Sequence, residues 1–234
     1  MTRKEYITAL FRQYEPLRSL SRCGEDEVLL LRHRELQRLA VVRSYSSPVF
    51  AYQKLLAVRH PHLPEVWEVR TLTDGQVVLE EYVEGDCLAD VLERGVLSYR
   101  VAKRVLCDIG AALVTLHRMG IVHRDIKPEN VIVTRDGRSV LLDLNASRQF
   151  DSAKRKDTVV LGTIGYAPPE QFGISQSDVT ADVYALGVLL NVMLTGCHPS
   201  ERLASGRAAK IILRSTQISP DHRFRSAEDL LGAL

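Results

Sequence analysis

The chain lacks a membrane-spanning run. Its longest uncharged stretch, 183–200, is interrupted by Asn191, Thr195, Gly196, His198 and Pro199, whereas a membrane helix needs about 20 predominantly apolar residues. The N-terminus, Met-Thr-Arg-Lys-Glu, carries an early acid and no apolar core, so it does not read as a signal peptide. Cysteine is sparse. Cys23, Cys87, Cys107 and Cys197 form no CxxC pair and no zinc spacing, which reads as reduced thiols in a cytoplasmic protein. An excess of one charge is missing too: 31 Lys+Arg against 29 Asp+Glu leave +2, and no basic tract interleaves with aromatics, so nucleic acid is not an expected partner. There is no internal repeat and no low-complexity tract. The 234 residues are 45% hydrophobic, too apolar for disorder and enough for one large domain or two small lobes.

Periodicity divides the chain. Ile7, Leu10, Phe11 and Tyr14 predict a short amphipathic helix over 4–14. The apolar runs 28–31 and 39–42, separated by the polar stretch 32–35, predict a hairpin. A helix of about ten residues is predicted over 49–58 and is broken by His60-Pro61-His62-Leu63-Pro64. Two further strands, 66–71 and 76–82, flank the turn Thr73-Asp74-Gly75. After Glu84-Gly85-Asp86 the pattern becomes mostly helical, with helices over 88–92 and 99–119 and Gly120 as a C-terminal stop. Short strands over 131–134 and 139–142 follow, then a long irregular segment, 145–173. Segments of that kind are usually functional. Helices resume from Thr180, and the last covers 227–234.

The stretch His123-Arg-Asp-Ile-Lys-Pro-Glu-Asn130 sits in a loop between a long helix and a strand pair, and Asp143 ends the second strand. The turn between those strands brings their ends together, so Asp125, Asn130 and Asp143 can converge. Phosphoryl transfer needs this inventory: a carboxylate to orient a hydroxyl and take its proton, a hard-oxygen pair for magnesium, and a cation, here Lys127, for the transferred group.

These residues resemble the catalytic loop of protein kinases. Gly162-Thr-Ile-Gly-Tyr-Ala-Pro-Pro-Glu170 is similar to the end of a kinase activation segment, Asp182-Val-Tyr-Ala-Leu-Gly187 to the start of the buried helix under the catalytic loop, and Pro220-Asp-His-Arg223 to the late arginine motif. In the family that arginine pairs with the glutamate matching Glu170. Lys127 and Thr163 resemble the serine/threonine branch. The resemblance implies an α+β, two-lobed protein-kinase-like fold: a small antiparallel sheet with one main helix over about 1–80, a hinge over 81–86, and a mostly helical lobe over 87–234. It implies ATP and Mg²⁺ as cofactors and a protein carrying Ser or Thr as substrate. Asp125 would orient the hydroxyl, Asn130 and Asp143 would hold Mg²⁺, and Lys127 would contact the γ-phosphate. Val28, Arg43 and Ile132 would face the nucleotide, and Glu81 and Val83 would offer backbone groups to adenine.

The N-terminal third departs from the family. Ser21, Cys23 and Asp26 stand where three glycines are expected, and Glu25, Asp26 and Glu27 bring carboxylates toward the polyphosphate position. The strand lysine is Arg43, and Ala51 takes the place of its helix glutamate, with no acid between Ser44 and Pro64. Glu80 is the hypothesised replacement partner of Arg43. Asp143-Leu-Asn145 replaces Asp-Phe-Gly. Thr158, then Ser152, are the candidate activation-segment phosphoacceptors, read by Arg124 with Lys154-Arg-Lys156 nearby. His60 and His62 lack a third metal ligand, and His123 reads as a buried support. Three functions remain: a serine/threonine protein kinase, slowed by the altered N-terminal motifs; a pseudokinase serving as a nucleotide- or protein-binding scaffold; and a kinase-like small-molecule phosphotransferase, which the segment 162–170 argues against.

Overall fold

The structure, a computed structural model, describes residues 1–149, 165–168, 170 and 178–234. Two compact units emerge, one formed by 1–60 with 64–83 and the other by 61–63 with 84–234. The architecture is α+β.

The first unit is built on one antiparallel sheet. Its strands are β1 (Tyr14–Cys23), β2 (Asp26–His33), β3 (Leu39–Tyr45), β4 (Val66–Leu72) and β5 (Gly75–Glu81), in spatial order β1-β2-β3-β5-β4. Side chains alternate across a strand, so Leu31, Ala40, Val42, Val77 and Leu79 share one face and form a buried cluster. Helix α1 (Arg3–Leu10) covers that face with Tyr6, Ile7 and Leu10. Each fully buried large side chain there contributes about 1.5–3 kcal/mol. The opposite parity carries Val41 and Arg43 on β3 and Val78 and Glu80 on β5, in the register Val41↔Glu80 and Arg43↔Val78.

Helix α1 begins with a capping box: the Glu5 amide donates to Thr2 Oγ1 at 3.3 Å and the Thr2 amide to Glu5 Oε2 at 2.8 Å. It stops four residues short of the predicted 4–14 span, because Tyr14 already starts β1. That strand is absent from the periodicity reading, since nine of its ten residues are exposed and no apolar alternation marks them. Helix α2 (Phe50–Leu55) has six residues rather than about ten. Its N-cap, Val49, makes no side-chain cap bond and its first turn has no acid.

In the second unit, β6 (Asp86–Cys87) leads into α3 (Leu88–Glu93) and the long α4 (Tyr99–Arg118), which presents Ala102, Leu106, Ile109, Leu113 and Leu116 as a buried stripe. The chain leaves α4 through Gly120 at φ 70°. Strand β7 (Ile121–Val122) pairs with β10 (Arg148–Gln149), while β8 (Val131–Val133) lies between β6 and β9 (Ser139–Leu141). Gly85 is required for this sheet: a Cβ there would sit 2.4 Å from the Val133 carbonyl oxygen and 2.7 Å from Ile132 Cγ2. Helix α5 (Val179–Thr195) is buried along nearly its whole length, and α6 (Gly206–Ser215) and α7 (Ala227–Ala233) pack on it.

The 61–63 segment belongs to this unit because His62 anchors it. The His62 carbonyl accepts the Leu141 amide at 3.0 Å, and Nδ1 lies 2.8 Å from the Ser139 carbonyl oxygen. That explains His62 without a metal. Among the described residues no three His, Cys, Asp or Glu side chains gather as a metal site, and no helix is long and apolar enough to cross a membrane.

Candidate active site

The site rests on one buried carboxylate. Asp182, in the first turn of α5, is fully buried and accepts the backbone N–H of His123 at 2.8 Å on Oδ2 and that of Arg124 at 2.8 Å on Oδ1. His117 Nε2, at the end of α4, lies 2.8 Å from Oδ2. Arg124 has φ 70°, a left-handed conformation that directs consecutive amides onto one anion. Burial alone would raise the Asp182 carboxyl. The His117 hydrogen bond and charge, the nearby His123 and the Arg124 amide outweigh it and hold the group below its ordinary value of 3.8.

The loop pinned in this way carries the chemistry-bearing residues. Asp125 Oδ2 lies 2.9 Å from Lys127 Nζ and accepts Asn130 Nδ2 at 2.9 Å. Asn130 Nδ2 also donates to the Asp125 carbonyl oxygen at 2.8 Å. Pro128–Asn130 forms a single 3₁₀ turn, which brings the Asn130 amide group back over Asp125. His123 is fully buried, with Nε2 3.1 Å from the Leu142 carbonyl oxygen. The Leu142 amide donates to the Asn130 carbonyl at 2.8 Å, so Asp143 directly follows a residue bonded to Asn130. Asp143 is the other non-glycine residue of this region with left-handed backbone, φ 63°, and its Oδ1 accepts the Asn145 amide at 3.1 Å. Strained backbone of this kind costs about 1–3 kcal/mol and gathers at functional sites.

The donor set suits a hard divalent cation. Asn130 Nδ2 is committed to Asp125, so its amide oxygen and the Asp143 carboxylate are the groups that could hold such a cation. One neutral and one anionic oxygen make no cage by themselves, and a magnesium ion held there would keep waters and phosphate oxygens among its ligands.

The remaining candidates are divided between the two units, and each belongs to one of them. In the first unit, Arg43 Nε donates to Glu80 Oε1 at 2.5 Å, and the two side chains are only 9% and 4% exposed. The hypothesised substitute pair therefore forms. Val28 lies opposite Arg43 in the β2–β3 register, Glu81 ends β5, and Val83 is buried. In the second unit, Ile132 is the central residue of β8. A cavity of about 550 Å³ in that unit, between Tyr99, Leu194, Leu203 and Ala208, includes none of the catalytic-loop residues.

Below the loop, Arg223 is 2% exposed and grips Glu170 in a fork, Nη1 to Oε1 at 2.5 Å and Nη2 to Oε2 at 3.0 Å. Its other donors go to the carbonyls of Gln217 at 2.7 Å and Ile218 at 2.9 Å. Nη1 also donates to the Thr180 carbonyl at 3.2 Å, so this buried clamp ties Glu170 to the start of α5. The combination of a buried aspartate under a His-Arg-Asp loop, an Asp-Lys-Asn cluster and a forked Glu-Arg pair decides the comparison with known proteins. Residues 51–230 match the protein kinase domain family.

The chain belongs to the protein kinase family.

Its curated relatives carry serine/threonine-protein kinase names. A probable serine/threonine-protein kinase of Clostridium perfringens is 32% identical over 95% of this chain and 38% of that protein. PknL of Mycobacterium tuberculosis is 36% identical over 76% of this chain and 42% of that protein. PknH of Mycobacterium bovis is 31% identical over 96% of this chain and 44% of that protein. The chain thus spans less than half the length of these relatives. The match to the protein kinase domain begins at Ala51.

The expected roles of Thr158, Ser152, Lys154, Arg155, Lys156 and Thr163 fall outside the described residues. Sequence reading also missed two residues. His117 falls inside the predicted 99–119 helix with no signal of its own, yet it partners Asp182. Arg3 carries no spacing signal at all, although its side chain bonds to Glu25 and Ser44 and lies close to Asp26 and Asp74.

Proposed function

We propose that this chain is an ATP- and Mg²⁺-dependent kinase that transfers the γ-phosphoryl group to Ser or Thr hydroxyls of a protein. The observation that carries this reading is the Asp125 carboxylate held between Asn130 Nδ2 and Lys127 Nζ on a loop fixed by Asp182. A carboxylate with its orientation set in this way can accept a hydroxyl proton while the hydroxyl oxygen bonds to the γ-phosphorus and the bond to the bridging oxygen breaks. Lys127 beside it neutralises charge on the transferred group. Asn130 and Asp143 would hold Mg²⁺, which would screen the phosphates. Val28, Arg43, Glu81, Val83 and Ile132 would contact the nucleotide, and Arg43, with Glu80 as its fixed partner, would take the place of the family's strand lysine. The domain is proposed to run over 1–234. The four free cysteines, Cys23, Cys87, Cys107 and Cys197, favour a reducing cytoplasmic setting for it.

The second reading, a binding scaffold without turnover, is favoured by the sequence of the first unit: Ser21, Cys23 and Asp26 stand at the expected glycine positions, Arg43 replaces the strand lysine, and Ala51 takes the place of the helix glutamate. Phosphate incorporation separates the two. Mg²⁺-dependent label on Ser or Thr, lost in Asp125→Asn and Asp143→Asn, supports the kinase. Nucleotide binding without label supports the scaffold.

A further inference from the structure

The turn between β1 and β2 keeps one glycine, Gly24 at φ 60°, but Ser21, Cys23 and Asp26 stand at the positions where the family's three glycines are expected, and acids flank the turn. The structure shows what holds it. Arg3 projects from the first turn of α1 with a side chain only 11% exposed. Its Nη1 donates to the Glu25 carbonyl oxygen at 3.1 Å and to Ser44 Oγ at 3.3 Å, and Nη2 donates to Glu25 Oε2 at 3.4 Å. Nη1 is 3.9 Å from Asp26 Oδ1, which also accepts the Ser46 amide at 2.6 Å. On its other side Nε is 3.6 Å from Asp74 Oδ2, while the Arg3 amide donates to Asp74 Oδ1 at 2.7 Å.

One guanidinium therefore joins α1, the β1–β2 turn, β3 and the β4–β5 turn. Gly75 makes room for it, since a Cβ there would lie 3.0 Å from Arg3 Cδ and 2.0 Å from the Tyr45 carbonyl oxygen. The contacts are not equal. Glu25 is 81% exposed, so its ion pair is screened and weak. The bonds to the Glu25 carbonyl and the buried Ser44 hydroxyl, with the partly buried Asp26 and the more exposed Asp74, carry the tether.

We propose that Arg3 is a positioning residue for nucleotide binding: it fixes the 23–26 turn onto α1 and turns Glu25 and Asp26 away from the nucleotide phosphates. This rests on the nucleotide-binding reading above. In this chain a long-range cation does what backbone freedom does in a glycine-rich turn, and it supplies the neutralising charge as well. The N-terminal helix becomes a working part of the nucleotide site.

The test is a cycle of Arg3→Gln and the pair Glu25→Gln with Asp26→Asn, on the full chain. It is read by titration of a fluorescent ATP analogue with Mg²⁺ and by amide hydrogen exchange. Arg3→Gln is expected to weaken binding about tenfold, because two carboxylates regain access to a polyanion. Adding the acid pair to Arg3→Gln is expected to restore affinity to within about threefold of wild type, whereas the same pair beside an intact Arg3 changes affinity less than about threefold. Exchange at amides 23–26 is expected to accelerate about tenfold in either single arm. The acid pair alters exposed or half-exposed side chains, so it remains informative if Arg3→Gln does not fold. Equal effects of the acid pair in both backgrounds, or unchanged exchange in it alone, overturn the inference. A wild-type chain that binds no nucleotide overturns the proposed function instead.

Discussion

Removing the Glu80 charge should destabilise the first unit far more than a surface substitution does. Arg43 and Glu80 are diagonal neighbours on one face of the β3–β5 ladder, with nitrogen and oxygen 2.5 Å apart and side chains 9% and 4% exposed. Two unit charges at about 4 Å attract by about 4 kcal/mol at an effective dielectric near 20. Glu80→Gln keeps the shape and removes the compensation, leaving a buried guanidinium without its anion, which costs about 3–5 kcal/mol. Arg43→Met removes the guanidinium from the buried carboxylate, with a similar cost. The double variant Arg43→Met with Glu80→Met removes both charges and should return to within about 2 kcal/mol of wild type, or exceed it, because packed apolar groups replace buried pairs well. Urea denaturation of the four proteins gives the coupling energy directly. Nucleotide titration then separates structure from function: the double variant should fold well and bind ATP poorly, since the cation proposed for the phosphates is gone. Single variants as stable as wild type, or a double variant as unstable as both singles combined, would refute the reasoning.

Other parts of the account are open to equally direct tests. Arg223→Met leaves the buried Glu170 carboxylate without its forked partner and should cost about 3–5 kcal/mol, read by denaturation. Asp182 has a depressed carboxyl in the folded state, so its contribution is complete above the ordinary carboxylate range and is lost as pH falls through its depressed folded value. The stability gap between wild type and Asp182→Asn, about 3 kcal/mol at neutral pH from mismatched backbone N–H groups, should narrow steadily in denaturation curves taken down to about pH 3. Asn130→Ala deletes the amide that holds Asp125 and should lower phosphate incorporation about 10²-fold while costing only about 1–3 kcal/mol of stability.

Much of the second unit was legible because its signals are local. The α4 stripe repeats every three to four residues, Gly120 stops it, and the catalytic loop with Asp143 is a contiguous motif plus one aspartate. The roles of Asp182 and of the Glu170–Arg223 pair followed from motif resemblance, and the geometry agrees with both. The first unit was harder. Strand β1 carries no apolar alternation because nearly all of it is exposed, and it exists through backbone pairing with β2. Helix α2 is short because nothing caps it. The Glu80 substitution could be posed as a question because an acid was missing from one place and unexpected in another. Arg3 could not be, because its partners lie 22, 41 and 71 residues away and no pattern in the chain links those positions.

The most direct test of the central claim uses labelled ATP. The chain is incubated with γ-labelled ATP, Mg²⁺ and a generic Ser/Thr-rich acceptor protein, beside Asp143→Asn shown by denaturation to be folded. The account predicts label on Ser or Thr of the acceptor or of the chain itself, dependent on Mg²⁺ and abolished by Asp143→Asn. Label that persists in Asp143→Asn or without a divalent ion, or no label from a wild-type chain that binds the nucleotide, contradicts it.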